Sequence, residues 1–397
     1  MARRSGAGSG HNVAKPAASA ETAGSPRAST HPKSNDASRQ TEPKATHPAR
    51  VTQAQVAARA GVSRTVASFV LNGRTDQRVA ARTAQRVKQA AEELGYRPNK
   101  IADILRTGES GTIALVSDLV TTTAAAHAMV RGVLEGARSH GMLLFTAETL
   151  GEPELEEQLI TNLLDRRADG IVYATMFSRE VSLPPSLTGE RVVLLNCKDP
   201  SRTTTSILPD DHAAGADAGR LILKAGSEGH VVFLGRLPGN ASATANWPNT
   251  RPLALQRRLS GLQGVLAAKG SLHAPELDAP LWDAPTGRTT MARLLRQDGP
   301  PTAVVCANDA LALGVYQALA ALGLRVPEDV AIVSFDGTQM GQWFIPPLTS
   351  FALPHEQMGR TAIDTLLGED SLEAGELLVP MPLIAGGSIQ VREPITL

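Results

Sequence analysis

Four polar side chains recur on one side of a short predicted helix near the beginning of the chain: Arg64, Thr65, Ser68 and Asn72. The apolar residues between them repeat at helical spacing and face the other way. Guanidinium, hydroxyl and amide groups presented together can hydrogen-bond to base edges and phosphates. These four residues are therefore candidates for contacts with double-stranded DNA.

The segment that positions them is VTQAQVAARAGVSRTVASFVLN, residues 51–72, and it has the pattern of two short helices joined by a tight turn. Thr52 and Gln55 fit a capping box at the start of the first helix. Gly61 permits the positive φ of the turn, and Ser63 is suited to cap the second helix. This spacing is typical of a helix-turn-helix, whose second helix enters the major groove. Both capping residues, Thr52 and Ser63, are also candidates for DNA contact; a helical hairpin without that role is the alternative.

A third amphipathic helix is predicted over residues 79–94, and Gly95 ends it. Pro98 then disfavours helix at the residue before it, and Asn99 can cap a new short helix that reaches about Leu105. A helix of that length is marginally stable on its own in water.

From residue 111 onward, strand-like and helical segments alternate, as a doubly wound parallel sheet requires. Apolar runs beginning at residues 112, 142, 170 and 191 would form one lobe. Runs beginning at residues 230, 302 and 330 would form a second lobe. Ligands of open α/β sheets bind at the carboxyl ends of the strands, so the cleft between the lobes is the expected pocket.

Five residues are candidates for binding a small-molecule effector: Asp118, Asn196, Trp282 and Asp309 near strand ends, and Arg258 on the helix after residues 237–256. A carboxylate and an amide can bind hydroxyl groups, a guanidinium can bind an oxygen-rich group, and an indole can cover an apolar ring face. Asp309 as a helix cap and Trp282 as a core residue are the alternatives.

Charge is distributed unevenly along a chain whose net charge is zero. The first 110 residues contain 18 Lys and Arg against 8 Asp and Glu, and the remainder contains 21 against 31. A basic amino-terminal part favours phosphate binding that depends on salt, whereas an acidic body discourages nonspecific association with DNA. A basic tail that is merely solvated is the alternative for residues 1–50.

Composition indicates a protein of the cytoplasm. Residues 1–50 are rich in Ala, Ser, Pro, Gly and Thr and lack an apolar signal-peptide core, so we expect a disordered tail. A transit peptide or a DNA-tethering arm is a weaker interpretation of Arg3 and Arg4. No apolar run is long enough to span a membrane. Cys197 and Cys306 lie in apolar runs without metal-ligand spacing, so they are predicted to be reduced core residues.

Longer motifs carry a family resemblance. They are V-T-x-x-x-V-A-x-x-A-G-V-S, V-L-N-G, E-E-L-G-Y-R-P-N and L-R-T-G in the first part, then R-R-L-S-G-L at 257–262, T-A-V-V-C-A-N-D-A-L-A-L-G at 302–314, L-R-V-P-E-D-V-A-I-V-S-F-D-G at 324–337, P-P-L-T-S at 346–350 and Q-V-R-E at 390–393. In this order they resemble the lactose-repressor/galactose-repressor (LacI/GalR) family of transcriptional regulators. Only the first 50 residues lie outside the resemblance.

The resemblance implies an α/β fold in which a helix-turn-helix headpiece precedes a two-lobed domain similar to type I periplasmic binding proteins. The implied domains are a disordered tail over 1–50, the headpiece over 51–97, a hinge helix and linker over 98–110, and an effector-binding and dimerisation domain over 111–397. The chain would cross between the lobes three times.

The implied function is regulation of transcription, and most simply repression, by a homodimer bound to a pseudo-palindromic operator. The hinge would contact DNA through Asn99, Ala102 and Leu105, with Leu105 as an apolar wedge that kinks the duplex in the minor groove. A sugar or related metabolite in the cleft would switch the protein, as an inducer or as a corepressor. Arg258 and Asp309 match the arginine and aspartate with which the family binds its ligand.

In other places the chain departs from the family pattern. Residues 121–127, TTTAAAH, lack the usual aromatic side chains, and residues 237–256, rich in Pro and Asn, are predicted to form a long loop. Phe69 stands at a recognition-helix position where the family often has Arg, and Asp103 stands where a basic or neutral hinge residue is common. These departures leave the effector and the operator sequence open.

Two other functions remain to be tested: a solute receptor of the periplasmic-binding-protein type, and a DNA-binding regulator controlled by a protein partner. An enzyme is not expected, because the chain has no P-loop, H-E-x-x-H or G-x-S-x-G motif and no cluster with metal-ligand spacing. No cofactor is expected either. The carboxyl-terminal residues lack leucine heptads, which favours a dimer over a tetramer.

Overall fold

The computed structural model describes residues 51–72, 79–97, 104, 108–121, 126–201, 203–237, 252–269, 275–368 and 374–391. The chain divides into two compact units, Met1–Pro98 and Asn99–Leu397.

The described part of the smaller unit contains three helices, α1 (Gln53–Ala60), α2 (Arg64–Leu71) and α3 (Ala81–Leu94). They pack around a small core of buried Val and Ala side chains: Val56, Ala57, Ala60, Ala67, Val87, Ala90 and Ala91. Small residues suit this core because they allow the short helices to cross closely. The helix-turn-helix and the third helix predicted from sequence are both present.

The predicted caps of the smaller unit have the expected geometry. Thr52 and Gln55 form both bonds of a capping box at α1. Gly61 and Gly95 end α1 and α3 with φ of 63° and 64°, in the left-handed region that glycine adopts without strain. The hydroxyl of Ser63 accepts from the N–H of Val66 at 3.3 Å and caps α2.

Lobe 1 of the larger unit contains a six-stranded parallel sheet in the order β11-β5-β4-β3-β1-β2. Its strands are β1 (Thr112–Ser117), β2 (Leu143–Glu148), β3 (Gly170–Glu180), β4 (Val192–Lys198), β5 (Thr205–Pro209) and β11 (Glu376–Val379). Its helices are α4 (His127–Ser139), α5 (Pro153–Asp165) and α10 (His355–Leu367), with a short 3-10 turn at Pro185–Leu187. Alternate residues of β1 enter different cores: Ile113 and Leu115 on one face, Ala114 and Val116 on the other.

Lobe 2 contains a second six-stranded sheet, in the order β12-β10-β9-β8-β6-β7. Its strands are β6 (Val231–Arg236), β7 (Glu276–Asp278), β8 (Ala303–Cys306), β9 (Ala331–Asp336), β10 (Thr349–Ala352) and β12 (Leu383–Ile384), which is antiparallel to β10. Its helices are α6 (Asp211–Ala225), α7 (Leu253–Ala267), α8 (Ala284–Gln297) and α9 (Asp309–Ala320), with a 3-10 turn at Gln339–Trp343.

The chain crosses between the lobes after β5, after β10 and after β11, because β11 belongs to the sheet of lobe 1 and β12 to that of lobe 2. The predicted three crossings and the two doubly wound sheets are therefore present. All seven apolar runs predicted as strands are strands in the structure. The remaining five strands were not predicted; they are short, and three of them lie at sheet edges, where burial imposes less of an apolar pattern.

Candidate DNA-reading helix and effector cavity

Helix α2 presents the polar side chains predicted to contact DNA. Arg64 and Thr65 are exposed, and Ser68 and Asn72 are half-buried. The side-chain amide of Asn72 donates to the hydroxyl of Ser68 at 3.1 Å, so these two groups orient each other. The capping hydroxyl of Ser63 lies at the start of the same helix.

The other predicted DNA contacts are in different places. Thr52 is exposed and caps α1. Asn99, Ala102 and Leu105 lie outside the described residues, as does the predicted hinge helix apart from Ile104.

A cavity of about 380 Å³ lies between the two lobes. Lobe 1 and the first crossing contribute Met176, Phe177, Ser178, Asn196 and Pro209. Lobe 2 and the second crossing contribute Pro252, Ala254, Arg258, Leu281, Trp282, Asp283, Asn308, Asp336 and Leu353, and His355 begins α10 of lobe 1. Mostly apolar walls with a few fixed polar groups are typical of small-molecule sites of this size.

Arg258 reaches the cavity from α7 and is 3% exposed. Its Nε donates to Asp211 at 2.7 Å, one of its terminal nitrogens donates to the carbonyl of Ala307 at 2.8 Å, and the guanidinium lies 4.5 Å from the ring centroid of Phe335. Asp211 already balances the charge of Arg258, so the site does not require an anionic effector. The remaining N–H donors can serve a neutral ligand.

Asn196 ends the apolar part of β4 with φ of 60°. Its side-chain nitrogen donates to the carbonyls of Thr175 and Met176, both at 3.0 Å. Both amide hydrogens are thus used within lobe 1, and the amide oxygen is the group left to accept a hydrogen bond from a ligand.

Trp282 lies across from lobe 1, and its indole N–H donates to the carbonyl of Gly235 at 3.1 Å. Asn308 supports it, because the Asn308 side chain donates to the carbonyl of Trp282 at 3.1 Å while its oxygen caps α9. These bonds hold both the indole and the main chain of Trp282 against lobe 2.

Asp336 ends β9 and faces the cavity with φ of 97°. Burial raises the pKa of Asp336 to about 7; the nearby carboxylates of Asp309 and Asp211 act in the same direction, and Arg258 opposes them. The next residue is Gly337, where a Cβ would lie 2.4 Å from that of Ala352. The close approach of β10 thus requires glycine after this carboxyl group.

Two predicted effector residues do not line the cavity. Asp309 is fully buried, and its carboxylate accepts from the N–H and hydroxyl of Thr338 at 2.6 and 2.8 Å and from the hydroxyl of Ser350 at 2.7 Å. Its neighbour Asn308, rather than Asp309, caps the helix. Asp118 contacts β3 instead of the cavity.

Asp336, Asn308 and the residues 176–178 were not among the predicted candidates. Asp336 and Asn308 both follow predicted strands, so the rule that ligands bind at strand ends could have included them. Residues 176–178 have no comparable signal in the sequence.

Hydrogen bonds and an ion pair between described residues join the lobes beside the cavity. The N–H of Ala254, in the first turn of α7, donates to the hydroxyl of Ser178 at 2.9 Å. One helical turn later, Arg257 pairs with Glu376 of β11 at 2.6 Å.

Cys197 and Cys306 are buried free thiols, which confirms their predicted placement in the core. Burial raises the pKa of both, that of Cys197 to about 12, so neither forms a reactive thiolate at neutral pH. Within the described ranges there is no group of three or more potential metal ligands. Nor do these ranges include a helix with the length and apolar character needed to cross a bilayer.

Comparison with known proteins gives matches in both units. The family model for bacterial regulatory proteins of the lacI family matches residues 52–99, and that for a periplasmic binding protein-like domain matches residues 230–389. The sucrose operon repressor of Escherichia coli is 31% identical over 335 residues, which cover 83% of this chain and 97% of that repressor.

Solved structures agree with these matches. The Lac repressor dimer bound to operator and the anti-inducer ONPF has a TM-score of 0.68 at 25% identity, covering 86% of this chain and 99% of that chain. A complex of the transcriptional regulator CelR with cellobiose has a TM-score of 0.56 at 27% identity, covering 85% and 100%.

Proposed function

Because the chain belongs to the lacI family of bacterial regulatory proteins, we propose that this DNA-binding transcriptional regulator is a repressor switched by a sugar-like metabolite. It binds a pseudo-palindromic operator as a homodimer, and the effector occupies the cavity between its lobes. It acts in the cytoplasm, at the nucleoid, and has no enzymatic activity.

The cavity is the observation that carries the effector part of the proposal. Its free polar groups are mainly acceptors, the amide oxygen of Asn196 and the carboxyl group of Asp336, and Arg258 supplies donors. Trp282 provides an indole on which a sugar ring can stack. A compact ligand with several hydroxyl groups satisfies all four residues. The sucrose operon repressor and the CelR–cellobiose complex are named after sugars, which supports a sugar as the effector class.

Helix α2 carries the DNA part of the proposal. Ser63, Arg64, Thr65, Ser68 and Asn72 contact bases and phosphates in the major groove, and Thr52 contacts the backbone. The hinge residues Asn99, Ala102 and Leu105 contact the minor groove, with Leu105 as the wedge.

Exposed apolar side chains support the homodimer. In lobe 1, Leu143 and Phe145 of the edge strand β2 are 57% and 38% exposed. In lobe 2, Trp343 and Ile345 are 70% and 92% exposed. Large apolar groups exposed to this extent are typical of surfaces that bind a partner, and a second copy of the chain covers them here.

The DNA part is tested by titrating the purified protein against a pool of random duplexes at two salt concentrations and sequencing the bound DNA. We expect recovery of a pseudo-palindrome with a flexible central step. A bound pool that stays random, with binding lost at higher salt, would indicate only electrostatic association and leave the solute receptor as the better interpretation.

The effector part is tested by thermal unfolding with sucrose, cellobiose, ribose and adenosine, each titrated over a wide concentration range. A ligand that binds the folded state raises the unfolding temperature further as its concentration increases above its Kd. We expect at least one sugar to do so and to change operator affinity. If the operator is bound and none of the four ligands shifts unfolding, control by a protein partner replaces the proposed effector.

A further inference from the structure

Strand β3 contains a bulge, residues 175–178, at the cavity. Its pairing with β4 is regular up to Ala174 and Leu195, and resumes with Arg179 and Cys197. Four residues of β3 therefore stand opposite a single residue of β4, Asn196. An irregularity of this size redirects side chains that a regular strand would point elsewhere, and residues 176–178 form the lobe 1 wall of the cavity.

One side of the bulge is held by β4. Asn196 donates to the carbonyls of Thr175 and Met176. The hydroxyl of Thr175 lies 2.8 Å from the carbonyl of Phe177 and 2.9 Å from that of Asn196.

The other side is held by Asp118, which follows β1. Its Oδ1 accepts from the N–H of Met176 at 2.8 Å, and its Oδ2 pairs with Arg179 at 3.2 Å. One carboxylate thus contacts the first half of the bulge and the residue directly after it. The side chains of Asp118 and Arg179 are 15% and 21% exposed, so water weakens this contact only in part.

The bulge also contacts lobe 2. Ser178 accepts from the N–H of Ala254 at 2.9 Å, in the first turn of the helix that carries Arg258. A displacement of the bulge therefore changes both the shape of the cavity and a hydrogen bond between the lobes.

We propose that Asp118 and Arg179 are positioning residues that set effector selectivity and couple the effector to the angle between the lobes, without touching the effector. The proposal rests on the effector function proposed above. Asp118 holds Met176 and Arg179, which lie on either side of Phe177 and Ser178, and Ser178 transmits the position of the bulge to lobe 2.

The first test needs no effector. In a background of Trp247→Phe and Trp343→Phe, Trp282 is the single tryptophan and reports on the cavity. We expect Asp118→Ala to increase the quenching of Trp282 fluorescence by acrylamide, because a displaced bulge opens the cavity to the quencher. Asp118→Asn keeps an oxygen for the Met176 N–H and should give an intermediate value.

Asp169→Ala is the matched control. The Asp169 carboxylate accepts from the N–H groups of Ser110, Gly111 and Thr112 at the opposite end of β1, so it also stabilises lobe 1 through backbone bonds. We expect this variant to lose stability without a change in quenching. Equal quenching in Asp118→Ala and Asp169→Ala would overturn the proposal.

The second test measures the affinities of sucrose, cellobiose and ribose by calorimetry. We expect Asp118→Ala to weaken binding of the best-bound sugar by about tenfold, because the sugar must then order a bulge that Asp118 no longer holds. We also expect the ratio of affinities between sugars to change. If the ratios of sugar affinities stay unchanged and each affinity falls only as the free energy of unfolding falls, Asp118 has a structural role only. If Asp118→Ala does not fold, Arg179→Met replaces it, because this variant removes the ion pair and leaves the Met176 bond. We then expect the same change in affinity ratios, and unchanged ratios would again show a structural role only. If no sugar binds the wild type, the effector class fails while the quenching result still decides whether Asp118 positions the bulge.

Discussion

Arg258 and Asp211 form an ion pair of 2.7 Å inside lobe 2, and their side chains are only 3% and 2% exposed. Asp211 begins α6 directly after the first crossing from lobe 1, and Arg258 lies on α7. The pair joins the two helices beneath the cavity and also contacts the ends of β8 and β9 through Ala307 and Phe335. Arg258 is therefore part of the lobe 2 core as well as of the cavity wall.

We expect Asp211→Ala to lower the free energy of unfolding by about 3–5 kcal/mol, because it leaves a buried guanidinium without its counter-charge. Urea denaturation measures this loss. The double variant Asp211→Ala/Arg258→Met should lose less than the sum of the single variants, since no unpaired charge remains. Additive losses would contradict the coupling. An Arg258 variant can therefore lose its effector response through lower stability alone, so its free energy of unfolding must be measured alongside its effector affinity.

Asp336 should make stability depend on pH. An unfolded Asp has a pKa of about 3.9, whereas the folded pKa is raised to about 7. The folded state therefore holds the proton more tightly, and stability is lost as pH rises from about 4 to 7. We expect Asp336→Asn to be more stable than the wild type at pH 8, by roughly 1–3 kcal/mol, with a smaller difference at pH 5. Urea unfolding of both proteins at pH 5 and pH 8 measures this difference in stability. An equal difference at the two pH values would argue against titration of Asp336 in this range.

The same group should make effector affinity depend on pH in the opposite sense. The ionised carboxylate accepts a hydrogen bond from a ligand hydroxyl more strongly than the protonated acid does. We expect sugar affinity to rise between pH 6 and pH 8 and then to level off. Calorimetry on Asp336→Asn should show weaker binding without this dependence. A wild-type affinity that is constant over this range would place the effector away from Asp336.

Sequence patterns predicted seven of the twelve described strands, and they predicted the helix-turn-helix with its caps, because long apolar runs and capping restrict the residue types directly. The inner strands β5 and β10 are buried but too short to give such a run. The cavity was harder to predict. Asn308 and Asp309 are adjacent at the end of one strand, and only tertiary packing determines that Asn308 faces the cleft while Asp309 bonds Thr338 and Ser350. The bulge at 175–178 arises from contacts with Asp118 and Asn196, which are distant in sequence. No local pattern encodes such contacts.

Homodimer formation should depend on the exposed apolar groups of each lobe. We expect Leu143→Glu and Trp343→Glu each to shift the protein toward monomer in sedimentation velocity, because a buried unpaired carboxylate opposes association. Leu377→Glu is the control, since Leu377 is 44% exposed on the edge strand β11 at the other side of the lobe 1 sheet. If Leu377→Glu is monomeric, or if Leu143→Glu and Trp343→Glu remain dimeric, the dimer interface lies elsewhere.

Arg64 and Ser68 should contribute differently to operator binding. We expect Arg64→Ala to weaken binding to operator and random DNA alike and to reduce the salt dependence by about one phosphate contact. Ser68→Ala should weaken operator binding selectively, because the Ser68 hydroxyl accepts a hydrogen bond from Asn72 and orients that amide. Arg59→Ala is the control, because it removes one positive charge from α1 instead of α2. Arg59 pairs with Glu93 of α3 at 2.5 Å. Fluorescence anisotropy at several salt concentrations measures all three variants. Equal losses for Arg59→Ala and Arg64→Ala would show that overall charge, rather than α2, governs affinity.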